Sequence, residues 1–325
     1  MQARPLGRSG LHTPPLAFGG NVFGWTADES TSFSLLDAFV AGGFNLIDTA
    51  NSYSRWVPGH QGGESETIIG KWLARRSDRD KLLIATKVGS DMGPAGKGLS
   101  RAHIERAIED SLRRLQTDYV DLYQSHFDDE ATPVDETLAA YARLIESGKV
   151  RAIGASNLSP ARLQASLDAS AARGLPRYET LQPLYNLYDR EPFESSYAPI
   201  ADRAGLAVIC YYPLASGFLT GKYRSAQDVA GTARAHSNTK YLTPRGFRVL
   251  EAMDRVAAAR GGVSLAQIAI AWLIAKPAIT APIASATSVS QLEQLMAATR
   301  LTLEPAEIAA LDAASAAEPN AAETH

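Results

Sequence analysis

Phe44-Asn45-Leu46-Ile47-Asp48-Thr49-Ala50-Asn51-Ser52-Tyr53 is the stretch from which the fold of this chain is read. An apolar run sits between Gly42-Gly43 and the polar Asn51-Ser52; it ends in an acid, and a tyrosine follows five residues later. Its length and its flanking turn residues make it a buried strand, 44–47, opening into a loop. That puts Asp48 at the strand's C-terminal mouth and Tyr53 on the loop or helix start beyond it. In parallel α/β folds this mouth is where chemistry is placed. Alone, the stretch has an equally good structural reading, with Asp48 as a helix cap and Tyr53 packed at an edge. The rest of the chain decides between them.

Working outward, apolar strand-like runs alternate with amphipathic helical segments. Residues 15–18 form the first strand, ending at Gly19-Gly20. A helix over 31–41 follows, with Phe33, Leu36, Phe39 and Val40 at helical spacing. Beyond the opening stretch, a helix starts near Gly63-Glu64 and carries Ile68, Ile69 and Trp72. The third strand is 81–87 and the fourth 119–126, with Ser100 as the N-cap of the helix between them. Pro133 opens a helix that ends near Gly148. The fifth strand is 150–155, and Ser159-Pro160 opens the next helix as N-cap and first helical residue. Strands at 179–182, 206–211 and 279–284 complete the set, with a helix at Val289–Ala298 after the last. Eight strands alternating with helices predict a closed (β/α)8 TIM barrel.

The chain has 325 residues, 45% hydrophobic and 21% charged, an ordinary globular composition. One α/β barrel accommodates that length. The expectation is a single barrel domain over 1–312 with a short N-terminal extension and a long polar loop, 213–243, after the seventh strand. Loops of that length usually serve a function. The alanine-rich tail 313–325 is expected to fray. A formal charge of −3 and the lack of a long basic run argue against a nucleic-acid partner. The single cysteine, Cys210, excludes a disulfide framework and a cysteine metal cluster, and reads as a small core residue. Met1-Gln2-Ala3-Arg4-Pro5 carries no apolar signal region, and Leu265–Ala275 is too short to span a bilayer. The expectation is a soluble, cytoplasmic protein without a membrane partner.

Polar residues gather at the strand ends. The second strand ends at Asp48, the third at Lys87, the fourth at His126. The fifth runs into Ser156-Asn157, and the sixth ends at Gln182. Singly, each has a structural reading: a lysine reaching water, a bonded rim histidine, a turn asparagine. In a barrel, all of them share one rim. Together they suit carbonyl reduction. A phenol of ordinary pKa, about 10, is a poor proton donor at neutral pH. A nearby ammonium favours the phenolate. Lys87, held by Asp48, could tune Tyr53 in this way while His126 orients the substrate oxygen, giving a general acid that faces a hydride donor.

At these residues the chain resembles an aldo-keto reductase over nearly its whole length. The matching pieces are Ile47-Asp48-Thr49-Ala50 with Tyr53, Gly63-Glu64-Ser65-Glu66, Ala85-Thr86-Lys87, Leu122-Tyr123-Gln124-Ser125-His126, Gly154-Ala155-Ser156-Asn157, Leu181-Gln182 and Tyr211-Tyr212-Pro213-Leu214. The resemblance implies a catalytic tetrad of Asp48, Tyr53, Lys87 and His126 with Tyr53 as proton donor, acting on a small-molecule carbonyl or alcohol. It implies an extended NADP(H), with NAD(H) also accepted. Tyr211 would pack on the nicotinamide, and Ser156, Asn157 and Gln182 would hold its carboxamide. Residues 213–222, with Pro213, Leu214, Gly217 and Lys222, would clasp the pyrophosphate, and Gly20 and Tyr212 complete the cofactor set. No glycine-rich dinucleotide fingerprint follows a strand, which fits a barrel rather than a Rossmann dehydrogenase.

Two departures stand out. The family usually carries a basic residue in the segment Ala284-Ser285-Ala286-Thr287-Ser288-Val289; here Ser285, Thr287, Ser288 and Gln291 offer only neutral donors for a 2′-phosphate. The loop from Tyr53 to Glu64 looks extended and holds Arg55, Trp56 and His60. Trp25, Trp56 and Phe127 are candidate walls of the substrate pocket. The alternative function is a cofactor-sensing regulatory subunit, similar to the β subunits of potassium channels. A metal-dependent barrel hydrolase using Asp48 or Glu64 is disfavoured because no cluster has metal-ligand spacing.

Overall fold

The protein is described by a computed structural model covering residues 2–231 and 235–317. An antiparallel hairpin, β1 (Arg4–Pro5) and β2 (His12–Thr13), opens the chain. Eight parallel strands then stand side by side in chain order: β3 (Ala17–Gly19), β4 (Leu46–Asp48), β5 (Leu83–Val88), β6 (Val120–Ser125), β7 (Val150–Ser156), β8 (Tyr178–Gln182), β9 (Ala207–Val208) and β10 (Ile283–Ala284). On one side β10 pairs with β3, Ile283 opposite Ala17. On the other, Thr280 N–H donates to Val208 O and Ile283 N–H to Cys210 O, both at 2.8 Å. The sheet therefore closes, and the expected (β/α)8 barrel is what forms.

Helices α1 (Glu29–Ala41), α2 (Glu64–Leu73), α3 (Arg101–Leu115), α4 (Val134–Glu146), α5 (Pro160–Arg173) and α6 (Ala198–Ala204) connect successive strands from β3 to β9. Between β9 and β10 lie two short helices, α7 (Ala226–Val229) and α8 (Ala235–Asn238), and two longer ones, α9 (Pro244–Ala259) and α10 (Leu265–Ala275). The long excursion therefore contains short helical pieces; residues 232–234 of it lie outside the described residues. Finally come α11 (Val289–Ala298), at the expected bounds, and α12 (Pro305–Ser315). The tail expected to fray from Ala313 thus begins as helix, and its residues 318–325 lie outside the described residues.

Local chemistry sets the boundaries. Asp28 caps α1 by accepting from Thr31 N–H, so that helix starts before Thr31. Ser159 caps α5 with Pro160 behind it, as expected. Ser100 occupies the N-cap of α3 but makes no side-chain cap bond. The seventh and eighth strands are shorter than their apolar runs. β9 stops at Val208, yet Tyr211 N–H still donates to Pro183 O at 2.9 Å.

Strand alternation divides the core in two. Phe18, Ile47, Ile84, Tyr123, Ile153 and Leu181 face outward and pack beneath the helices. Leu46, Leu83, Ala85, Leu122, Ala152 and Ile283 face the lumen. Leu6 and Leu11 of the hairpin join the lumen cluster. The hairpin sits at the strands' N-terminal ends: Arg4 Nη1 donates to Ile279 O, Arg8 N–H to Glu179, and Asn45 Nδ2 to His12 O. It closes that end of the barrel. Outside, Gly70 of α2 lies against the end of α3; a Cβ there would come within 2.0 Å of Arg114 O.

Candidate active site

The same alternation builds the site at the open end. Asp48 follows Leu46 by two residues, Lys87 follows Ala85, and Gln124 follows Leu122, so all three point into the lumen. Parallel register places Lys87 beside Gln124 and Ser156 beside Gln182. Lys87 is fully buried. Its Nζ donates to Asp48 Oδ2 at 2.5 Å, Thr49 O at 2.8 Å and the Tyr53 hydroxyl at 2.9 Å. All three ammonium donors are thereby used. Asp48, 1% exposed, receives Gln124 Nε2 at 3.0 Å and Gln182 Nε2 at 2.9 Å on its other oxygen. The charged pair is thus enclosed and hydrogen-bonded on both sides, which a buried ion pair requires.

His126 follows β6 and lies 6.1 Å from the Tyr53 ring, centroid to centroid. Its Nδ1 is 2.9 Å from Ser90 Oγ. Burial, reinforced by the Lys87 charge, holds the imidazole well below its ordinary pKa, so it is neutral near pH 7. Burial pulls the Lys87 ammonium down as well, against Asp48, which pulls it up. For Tyr53 the direction is opposite to that argued from the sequence. Burial first, then the Asp48 carboxylate, push the phenol well above its usual value. The ammonium that was to lower it is matched at 2.5 Å by Asp48, so its field at the phenol is largely cancelled.

A cleft of about 1490 Å³ runs from this cluster across the barrel mouth. It is bordered by Asp48, Tyr53, His126, Ser156, Asn157, Gln182, Tyr211, Tyr212, Pro213, Leu214, Gly217, Lys222, Ser285, Thr287 and Gln291. Trp25, Trp56 and Phe127 border it too. Gly20 does not; it is buried, and its carbonyl accepts from Ser65. Lys87 lies beneath the floor. The exposed large hydrophobic residues among those described are Trp56, Phe127 and Tyr212, and each lines this cleft. Trp25 and Trp56 meet edge to face at 5.6 Å. The loop after Tyr53 is held by Arg55, which bonds the Asp91 carbonyl.

Several rim side chains are already committed to one another. Asn157, at φ 50°, donates to His126 O and accepts from the Tyr211 hydroxyl at 3.0 Å. The Gln182 amide nitrogen is shared between Asp48 and Gln124, leaving Oε1 for a ligand. Ser285 donates to Gly19 O at 2.7 Å and lies 2.6 Å from Asn21 Oδ1, so its proton is not free. Thr287 is tied to Gln291 Oε1. Ser264 and Ser288 cap α10 and α11, and Ser264 and Gln291 line the cleft there. Helix N-termini of this kind suit phosphates. Among the described residues the acids bordering the cleft are Asp48, which accepts from the Tyr53 hydroxyl, and Asp91, beside Arg55. Among the described residues no group of three or more His, Cys, Asp or Glu could hold a metal ion. Gln124 is a site residue absent from the set expected from the sequence, although its place two residues after Leu122 marks it as lumen-facing. Ser90, beside His126, and Ser52, which bonds Ser90, are likewise absent from that set.

The family model described as "Aldo/keto reductase family" matches residues 15–316. The chain is 35% identical to "Aldo-keto reductase YhdN" of Bacillus subtilis (strain 168), over 91% of this chain and 86% of that protein. It is 35% identical to "L-glyceraldehyde 3-phosphate reductase" of Escherichia coli (strain K12), over 96% and 92%. It is also 35% identical to "Probable voltage-gated potassium channel subunit beta" of Oryza sativa subsp. japonica, over 92% and 91%.

Proposed function

The chain belongs to the aldo/keto reductase family of oxidoreductases, and we propose that it is an NADP(H)-dependent reductase of aldehydes or ketones, reversible as an alcohol dehydrogenase. The observation that carries this reading is the position of Lys87 Nζ, bonded at once to Asp48 and to the Tyr53 hydroxyl at the head of a large cleft. The cleft exceeds the roughly 300–1,000 Å³ of a typical ligand pocket, which suits a dinucleotide and a carbonyl together. The cofactor, when bound, supplies the hydride. Tyr211, Ser156 and Asn157 would hold its nicotinamide end, Lys222 and the N-terminus of α10 its phosphates.

The chain's own residues then handle the proton. His126, neutral, orients the carbonyl oxygen beside Tyr53. As that oxygen gains charge it becomes a stronger base than the phenolate, so the Tyr53 proton passes to it. Lys87 meets the phenolate as it forms, and Asp48, fixed by Gln124 and Gln182, keeps the ammonium in place. Trp25, Trp56 and Phe127 would form the substrate wall, favouring a bulky or aromatic carbonyl; a keto-sugar is the polar alternative.

The likeness to a probable channel β subunit supports a second reading, a cofactor-sensing subunit. A panel of aldehydes, ketones and keto-sugars, followed by loss of NADPH and of NADH, separates the two. Turnover supports the reductase. Tight NADPH binding with no turnover of any member overturns it in favour of the sensor.

A further inference from the structure

We propose that Ser90, with Ser52 behind it, is a positioning residue that fixes the tautomer of His126, so that Nε2 carries the proton a carbonyl oxygen accepts. The inference rests on the reductase reading of the cleft. Ser90 lies on the turn just beyond β5, 8% exposed, with its Oγ 2.9 Å from His126 Nδ1. Ser52, from the loop after β4, donates its hydroxyl to Ser90 Oγ at 3.2 Å. The histidine is anchored at its root, since its N–H donates to Val88 O at 2.8 Å and its carbonyl accepts from Asn157.

A neutral imidazole has one donor and one acceptor nitrogen, and the partner of one nitrogen decides the state of the other. The Ser90 hydroxyl has one proton. Ser52 is already donating to it, so within this chain of bonds Nδ1 is the acceptor for that proton. A hydroxyl that accepts one hydrogen bond also donates a stronger one. Nδ1 is therefore unprotonated and Nε2 carries the hydrogen. The opposite tautomer would turn a lone pair of Nε2 toward the substrate oxygen and leave the Ser90 proton without a partner in this chain.

The test is two-bond 1H–15N correlation of the ring nitrogens in the full-length protein labelled with 15N-histidine, with His126 assigned from the signal lost in His126→Gln. Wild type should show His126 with hydrogen on Nε2. Ser90→Ala should move it toward a mixture of tautomers and lower kcat/KM for reduction about tenfold, the net worth of about one hydrogen bond. The NADPH dissociation constant should stay unchanged. Ser90→Thr, which keeps the hydroxyl, should restore both readouts, and Ser52→Ala should give a smaller shift in the same direction. Hydrogen on Nδ1 in wild type, or an unmoved tautomer in Ser90→Ala, overturns the proposal. If Ser90→Ala does not fold, the wild-type spectrum and Ser52→Ala decide. The spectrum is read without substrate, so a protein that reduces nothing refutes the reductase reading and leaves the tautomer measurable.

Discussion

Lys87 Nζ donates to the Tyr53 hydroxyl across 2.9 Å while its charge is matched by Asp48 at 2.5 Å. The phenol therefore faces a nearly neutral pair. Burial wins, and Tyr53 keeps its proton near pH 7. The ammonium matters most when the proton leaves, because only the phenolate gains fully from it.

Tyr53→Phe should lower reduction by roughly 10²–10⁴-fold, the usual range for a general acid. Cofactor affinity should change little, since the hydroxyl bonds Lys87 and Asp48 rather than the nucleotide end of the cleft. Steady-state rates and fluorescence titration with NADPH measure the two. A variant keeping more than about a tenth of wild-type activity would show that Tyr53 is not the acid.

The pH dependence follows from the direction of the Tyr53 shift. Reduction needs the protonated phenol, and a raised pKa keeps it protonated beyond the ordinary midpoint of about 10. Short assays should find kcat/KM for reduction holding through that pH, while oxidation, which needs the phenolate, still climbs. A reduction limb falling between pH 7 and 9 would contradict this. Lys87→Met should move the limb further to alkaline pH.

Lys87→Met should also cost stability. It leaves Asp48 charged, 1% exposed and without its cation, and breaking a buried pair in this way costs about 3–5 kcal/mol. Reduction should slow by at least 10- to 150-fold, the rate equivalent of about 1.5–3 kcal/mol for a hydrogen bond to a charged group. Asp48→Asn combined with Lys87→Met should recover part of the lost stability in urea unfolding but not the activity. Equal stability of the single and double variants would count against an unpaired charge as the cause.

NADPH should bind more tightly than NADH, by a smaller margin than the family resemblance suggests, and the margin should shrink as salt rises. Ser285 and Thr287 have spent their donors on Gly19 and Gln291, so the 2′-phosphate is left with Gln291 and backbone amides at the start of α11. Among the described residues no carboxylate borders that end to repel it. Dissociation constants for both cofactors at low and high ionic strength decide the matter. Tighter NADH binding at low salt would sink it.

Gly70→Ala should destabilise the protein although alanine is the better helix former by about 1 kcal/mol. The new methyl would sit 2.0 Å from Arg114 O and 2.7 Å from the Leu115 carbonyl carbon, backbone atoms that cannot swing aside. Overpacking of this kind costs typically about 1–3 kcal/mol. A denaturation midpoint at or above that of wild type would be the contrary result.

The barrel was legible because buried parallel strands are nearly continuous apolar runs, and eight of them, broken by helical spacing, leave few other architectures. Asp48, Lys87 and His126 were legible for the same reason, as polar residues ending such runs. The hairpin of Leu6 and Leu11 was not, since two-residue strands carry no period. Nor was the state of Ser285, whose partners Gly19 and Asn21 lie 266 and 264 residues away. The direction of the Tyr53 shift depends on how deeply the phenol and its two charged neighbours are enclosed, which residue types alone do not state.

The pairing of β10 with β3 has a consequence for how the protein is made. The ribosome delivers Ala17–Gly19 long before Ile283–Ala284, at about 5–20 residues per second. For roughly tens of seconds of translation the first barrel strand therefore waits as a bare edge, the kind of surface that recruits other chains. The rim contact from Ser285 to Gly19 is among the last to assemble. A nonsense or frameshift product ending before Ile283 is thus no weakened enzyme. It is an open sheet with two unpaired borders, and its fate falls to chaperones and proteases rather than to catalysis.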